Sequence, residues 1–227
     1  MTPAISILLP VYNGQQYLRE SLASLSAQTL PPAEIVVIDD GSTDQSAAIA
    51  ADFPGVTLIQ QANAGAAAAR NAGLTAATGN LIACLDADDL ADPKRLELQA
   101  AAFDRDPDLD GCFTHLAEFL SPELPDDERA QLECKAEAAP GACIGTLMIR
   151  RDSFLRVGLL DPELRVAYFL QWYGLAQDQG LRFEMLSETL VQRRLHLDNT
   201  GRREKGRLAK EYAKVLAAKI ARRRSQK

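Results

Sequence analysis

No stretch of the 227-residue chain approaches the ~18–20 consecutive apolar residues that a membrane-spanning helix needs. The opening residues, MTPAISILLPVYNG, carry no basic segment ahead of their apolar run, and that run ends at Pro10. They read as a first β-strand, not as a secretory signal. None of the four cysteines (Cys84, Cys112, Cys134, Cys143) stands in a CxxC pair. Reduced, cytosolic thiols are therefore expected, not metal ligands or disulfides, and Cys84 lies within an apolar run that predicts burial. The phosphate loop GxxxxGK[ST] is missing, and the first strand lacks GxGxxG. Neither Asp39 nor Asp40 can then be read as the ribose acid of a dinucleotide fold. PVYNGQQY, after the first strand, has no basic residue to grip phosphate, which argues against nucleotidyl transfer.

What is present is ordinary for a globular protein: 47% hydrophobic and 25% charged residues, in a chain long enough to bury a sizeable core. The net charge of −6 is unevenly placed. Residues 193–227 hold 13 Lys/Arg against 3 Asp/Glu, a surplus of ten, so the remaining 192 residues carry about −16.

Apolar runs alternate with helical patterns. AISILLP, EIVVIDD, VTLIQ and NLIACLDADD read as strands, the second and fourth stopping at acids. Between them, residues 15–28 place Tyr17, Leu18, Leu22 and Leu25 on one helical face. STDQSAAIAADF opens with a cap that includes Asp44, and AGAAAARNAGLTAAT is an Ala-rich helix. Asp92 and Pro93 fit N-cap and N1 of a fourth helix. This alternation predicts an α/β fold with a mainly parallel sheet flanked by helices. Beyond it, DGCFTHLAEFL and ACIGTLMIR read as strands, SPELPDDERAQLECKAEAAPG as a loop with a short helix, and residues 151–157 as a short helix. FEML and TLVQRRL read as two short strands. Residues 206–224 form a basic amphipathic pattern, with Leu208, Tyr212, Val215, Leu216 and Ile220 on one side.

In open α/β sheets, ligands bind beyond the carboxyl ends of the strands. Three strand ends carry distinctive residues: Pro10-Val11-Tyr12-Asn13-Gly14, Asp39-Asp40-Gly41-Ser42 and Asp86-Ala87-Asp88-Asp89. Carboxylates crowded on one edge repel and need a cation or donors. Mg²⁺ or Mn²⁺ suits oxygen ligands and takes one or two protein carboxylates, with water and phosphate oxygens completing the shell. That points to a nucleoside diphosphate site. Arg70, in the helix before the fourth strand, is placed to donate to phosphate or to the aspartates. Asp44 and Asp92 are expected to be helix caps, and Asp86 to orient its loop.

Taken in order, ISILLPVYNGQQYLRESLASLSAQTL, EIVVIDDGSTDQS, ARNAGLTAATGNLIACLDADDL and VGLLDPELR resemble family 2 glycosyltransferases of the GT-A fold. The resemblance spans roughly residues 3–200 and implies an inverting, metal-dependent transfer from a nucleotide diphosphate sugar. UDP is favoured over GDP, and the acceptor would be a glycan, lipid-linked or peptide group. It implies that Pro10, Tyr12 and Asp40 hold the nucleobase, that Arg70 is the arginine of the family's RN-G segment, and that Asp88 faces the ribose. Asp89, with Asp88, would hold Mn²⁺ or Mg²⁺. In RRLHLDNT, Arg194, His196 and Asn199 match the family's R-x-H-x-x-N segment, whose histidine approaches the metal or diphosphate. The expected organisation is a GT-A domain over residues 1–200 (nucleotide-binding half 1–105, acceptor half 106–200) and a basic helix over 201–227.

One expected part is missing. Inverting members take the acceptor proton with a carboxylate, usually in a Glu–Asp pair after VG-[LF]-D-x-x-[LF]. That pair falls on Tyr168 and Phe169, and an alternative family position falls on Gln171. From Leu164 to Gln177 there is no acid at all. Asp161, Glu163 and Asp178 are the nearby substitutes; otherwise the protein binds a nucleotide or partner without turnover, or uses an acceptor that needs little base help. The plain reading of the aromatic cluster is a core-facing helix with Val166, Phe169, Leu170 and Tyr173 inward. For the tail, packing on the domain competes with contact at the inner face of a membrane. An acidic body argues against nucleic acid.

Overall fold

The structure, a computed structural model, describes residues 4–135 and 137–225. The strands are β1 (Ile5–Val11), β2 (Glu34–Asp39), β3 (Val56–Gln60), β4 (Leu81–Cys84), β5 (Leu90–Ala91), β6 (Gly111–Leu120), β7 (Ala139–Pro140), β8 (Met148–Arg150) and β9 (Phe183–Leu195). The helices are α1 (Leu18–Ser26), α2 (Ser46–Ala51), α3 (Ala66–Ala76), α4 (Arg95–Arg105), α5 (Asp126–Arg129), α6 (Arg151–Val157), α7 (Tyr168–Asp178), α8 (Thr200–Arg203) and α9 (Lys205–Ser225), with a 3₁₀ turn at Ile144–Thr146.

The nine strands of the described residues form one sheet in the order β3-β2-β1-β4-β8-β6-β9-β5, with β7 paired to β6. The β3-β2-β1-β4 half is parallel. β8 then runs antiparallel to β4 and β6, while β6 and β9 are parallel. The near-continuous apolar runs of β1, β2 and β4 arise because both faces are covered. Ile5, Ile7, Leu9 and Val11 pack under α1 and α4, whereas Leu8, Val36 and Ile38 pack under α3, α6 and α7. Gly73 lets α3 settle onto the second face, where an added Cβ would lie 2.6 Å from Ile38 Cδ1. All four cysteines are free thiols, and burial raises Cys84 to about 11.

Several expectations change. ACIGTLMIR is not one strand: the Thr146 hydroxyl donates to the carbonyls of Gly141 and Cys143, curling the chain before β8. FEML and TLVQRRL form the single strand β9, because β9 takes up its extra residues as bulges between Met185 and Val191 and keeps its pairing with β6 on either side. Asp92 does not cap α4 directly. Its carboxylate accepts the Lys94 N–H at 2.9 Å in a turn, and the Pro93 carbonyl accepts the Thr29 N–H at 2.8 Å, so the helix begins at Arg95. Within α7, Phe169 and Trp172 are buried, but Leu170 is exposed. In α9, Val215 is buried while Tyr212, Leu216 and Ile220 face solvent, so the expected apolar side does not pack as a unit.

Candidate functional site

The carboxyl ends of β1, β2 and β4 open into a cleft of about 920 Å³. Pro10, Tyr12, Asp40, Arg70, Asp86, Asp88, Asp89 and His196 all line it, so the predicted binding residues converge there. The loops after β1 and β2 are stitched together. The N–H groups of Asn13, Gly14 and Gln15 donate to Ser42, Ser46 and Asp44, and the Thr43 N–H donates back to Asn13 Oδ1. Asp44 thus serves both loops as well as the start of α2, where it accepts the Ser46 N–H at 2.9 Å. Tyr12 stands exposed at the rim, at 54%.

Asp40 is 3% exposed and accepts from Gln61 Nε2 and from the N–H groups of Ala64 and Gly65 at 2.7–2.9 Å. It therefore shapes the turn into α3 as well as lining the cleft. Gly65 holds φ 92° at that turn, and the Arg165 guanidinium packs where its Cβ would be, 2.5 Å away. Arg70 is buried, donates to the Tyr168 hydroxyl at 2.9 Å and forms an ion pair with Asp86. Burial pushes Tyr168 up to about 12 despite Arg70, so it remains a neutral phenol.

The Asp88–Asp89 loop is gripped from the end of β9. The Arg194 N–H donates to Asp89 Oδ1 and its Nε to the Asp88 carbonyl, both at 2.9 Å. Its guanidinium reaches Glu20 and lies between the rings of Tyr17 and Phe119. His196 Nε2 is 3.0 Å from Asp88 Oδ2, and Asn199 donates to the same oxygen at 3.1 Å. The R-x-H-x-x-N residues thus hold Asp88 and Asp89 directly. Burial, then Asp88, then Asp86 drive the Asp89 pKa well up, outweighing the Arg194 N–H and the Arg193 charge. An undercompensated carboxylate of this kind is what a cation would neutralise. No group of three or more His, Cys, Asp or Glu forms a closed metal cage among the described residues. A hard divalent ion completing its shell with diphosphate and water needs none, and Asp89 with Asp88 fits that role.

The substitute bases do not reach the cleft. Phe169 stacks in the core on Trp172 and Tyr173. Gln171 donates to Asp161, whose other oxygen caps the Glu163 N–H. Asp178 pairs with Arg222 of α9, and neither Asp161, Glu163 nor Asp178 lines the cleft. Sequence reasoning passed over two residues. Asp198, treated as a spacer between His196 and Asn199, is exposed in the cleft with no hydrogen-bond or ion-pair partner among the described residues. Arg95, wholly buried, donates to the Cys84 carbonyl at 2.7 Å where β4 enters the acidic loop, and burial lowers it to about 10. Nothing in sequence separates it from a surface helix arginine. Asp198 was detectable from its place inside the motif.

The comparisons with known proteins agree with this geometry. The family model for glycosyl transferase family 2 matches residues 6–158. The glycosyltransferase EpsJ of Bacillus subtilis is 30% identical over 208 residues, which is 84% of this chain and 60% of EpsJ. The glycosyltransferase YibD of Escherichia coli K12 is 42% identical over 116 residues, 49% of this chain and 34% of YibD. The chain therefore spans between a third and three-fifths of the length of these relatives. Among solved structures, TarS of S. aureus matches with a TM-score of 0.70 at 23% identity, covering 86% of this chain and 37% of TarS. TarS 1–349 in complex with UDP-GlcNAc matches at 0.69, with 23% identity, covering 85% of this chain and 59% of that one. At that identity the likeness establishes the α/β fold, with its curled, helix-flanked sheet. The family match runs from β1 through the acidic loop to the end of α6, and on that ground the chain belongs to glycosyl transferase family 2.

Proposed function

We propose that the protein transfers a glycosyl unit, with inversion, from a nucleoside diphosphate sugar to an acceptor hydroxyl. The observation that carries this reading is Asp89, a buried carboxylate crowded by Asp86 and Asp88 at the edge where Pro10, Tyr12 and Asp40 also converge. Asp89 and Asp88 would hold Mn²⁺ or Mg²⁺, with His196 and Asn199 fixing Asp88; the ion, when bound, neutralises the diphosphate. Tyr12 offers a ring to the nucleobase, and Asp40 offers acceptor capacity beside it. TarS, whose fold this chain shares, has been solved with UDP and with UDP-GlcNAc, which supports a uridine donor here. Reduced thiols support a cytoplasmic setting.

In the transfer, the acceptor oxygen attacks the anomeric carbon from the face opposite the diphosphate. The new C–O bond forms as the bond to the diphosphate breaks, and the hydroxyl proton passes to a carboxylate. Asp198 suits that role. Asp40, Asp86, Asp88 and Asp89 are each tied to donors, whereas Asp198 is exposed and unbonded.

Calorimetric titration with UDP, GDP and their sugars, with and without Mn²⁺, tests the site. Metal-dependent binding of a uridine nucleotide is expected; failure of every nucleotide to bind would overturn the reading. A second reading rests on one observation, that the family's base positions hold Tyr168 and Phe169, a neutral phenol and a core ring. It makes the protein a binding relative without turnover. Tight nucleotide binding with no donor hydrolysis would select it.

A further inference from the structure

Helix α9 meets the domain along a narrow edge. Val215 is buried, and Leu208, Glu211, Lys219 and Arg222 are partly so. Glu211 accepts the N–H groups of Arg165, Val166 and Ala167 at 3.0–3.1 Å, anchoring α9 at the start of α7. The neighbouring face of α9 is uncovered and apolar. Tyr212, Leu216 and Ile220 are 46%, 58% and 45% exposed, and Ala209, Ala213 and Ala217 beside them are exposed as well. At 100° per residue these six side chains make one stripe more than 100° wide.

The charge on the helix says what would cover that stripe. Lys205–Ser225 contains eight Lys/Arg and one acid, Glu211, which is already engaged. Lys205, Lys210, Lys214 and Arg224 are exposed, whereas Arg207 pairs with Glu204 just ahead of the helix and Arg222 with Asp178 of the body. An exposed apolar stripe flanked by unspent positive charge matches an anionic bilayer surface, where apolar insertion and headgroup attraction add. A nucleic acid would use the charge and leave the stripe exposed. The stripe is also aimed, since Tyr212 and Leu208 line the mouth of the cleft.

We propose that α9 docks on an anionic membrane surface through Tyr212, Leu216 and Ile220 and holds the cleft mouth against it. The docking stands apart from the glycosyl-transfer reading; its consequence, that the acceptor is carried at the same surface, rests on that reading.

The test is co-sedimentation of the full chain with phosphatidylcholine vesicles, with and without phosphatidylglycerol, beside the double variant Leu216→Glu/Ile220→Glu. Binding to the anionic vesicles alone, weakened by salt and reduced at least about tenfold in the variant, is expected. Both positions face solvent, and UDP calorimetry on the variant reports separately on the fold and the nucleotide site. Absence of binding to anionic vesicles, or binding unchanged in the variant, would overturn the proposal. So would a wild-type dimer in sedimentation velocity that the variant dissociates, because the stripe would then be an interface between copies.

Discussion

Replacing Asp89 with asparagine separates what the carboxylate does to the fold from what it does for a ligand. The variant side chain is nearly isosteric and keeps an acceptor for the Arg194 N–H, 2.9 Å away. What disappears is a negative charge that is 5% exposed. Asp86 Oδ2 and Asp89 Oδ2 lie 3.6 and 3.9 Å from the position a Gly145 Cβ would take, so they are separated by less than 8 Å. Two unit charges about 8 Å apart repel by about 2 kcal/mol at an effective dielectric constant of about 20. The Arg70 guanidinium on Asp86 offsets part of this, so the unliganded variant is expected to be about 1–2 kcal/mol more stable at neutral pH. The sign in pH follows. Burial and the neighbouring carboxylates raise Asp89 in the folded state, so the wild type loses stability as pH climbs from the unfolded carboxyl pKa, about 4, towards the folded one. The variant does not titrate there, and the two stability curves should converge in acid and separate above it. Urea unfolding at several pH values, followed by the fluorescence of Trp172, the one tryptophan, measures the difference. In the same preparation, Mn²⁺-dependent UDP affinity should fall by about a hundredfold or more. A variant less stable than wild type at neutral pH would show that the protein compensates the charge unaided. Unchanged UDP affinity would remove Asp89 from the metal site.

Three further outcomes are expected. Glu211→Ala strips the acceptor from three N–H groups at the start of α7 and should cost about 1–2 kcal/mol in urea unfolding, with faster hydrogen exchange at residues 165–167. Burial raises the Glu211 pKa, but those N–H groups pull it below the ordinary value, so its contribution holds above the unfolded pKa and fades as pH falls through the folded one. Gly65→Ala forces an L-residue into φ 92° and displaces Arg165, so a loss of about 1–2 kcal/mol in thermal unfolding and weaker UDP binding are expected. Asp198→Asn should lower turnover by about 10²–10⁴-fold while leaving UDP affinity within about twofold, a split that steady-state kinetics and calorimetry read together.

The first half of the fold was legible because its signals are local. ISILLPV and EIVVID are apolar on both faces, so burial and strand formation coincide, and the acids that stop them fall at one sheet edge. The convergence of Pro10, Tyr12, Asp40, Arg70, Asp88, Asp89 and His196 followed from that parallel arrangement. The second half was harder because tertiary contacts override local pattern. Ser187 and Glu188 look like a turn, yet they are bulged residues inside β9, which pairs with β6 on both sides of them. Tyr212, Leu216 and Ile220 share a helical face with Val215, yet the domain's edge is only wide enough for Val215 and the flanking Leu208. The substitute acids failed for the same reason. Asp161 and Asp178 were near in sequence, but the fold spends one on a turn and the other on Arg222.

Tyr168, at the position where the family resemblance expects an acid, and the arrangement around Arg70 belong together. Arg70 is buried and serves Asp86 and Tyr168 together. A carboxylate at position 168 would compete with Asp86 for that guanidinium. It would also add a charge to a cleft where Asp89 is already held above its ordinary proton affinity by burial and by its neighbours. The phenol of Tyr168 accepts from Arg70 while staying neutral, and so leaves the full guanidinium charge to Asp86. With position 168 closed to an acid in this way, the proposed transfer takes its proton acceptor from another element. In that proposal the acceptor is Asp198, in the turn after β9, which lines the cleft next to His196 and Asn199, the two residues that fix Asp88.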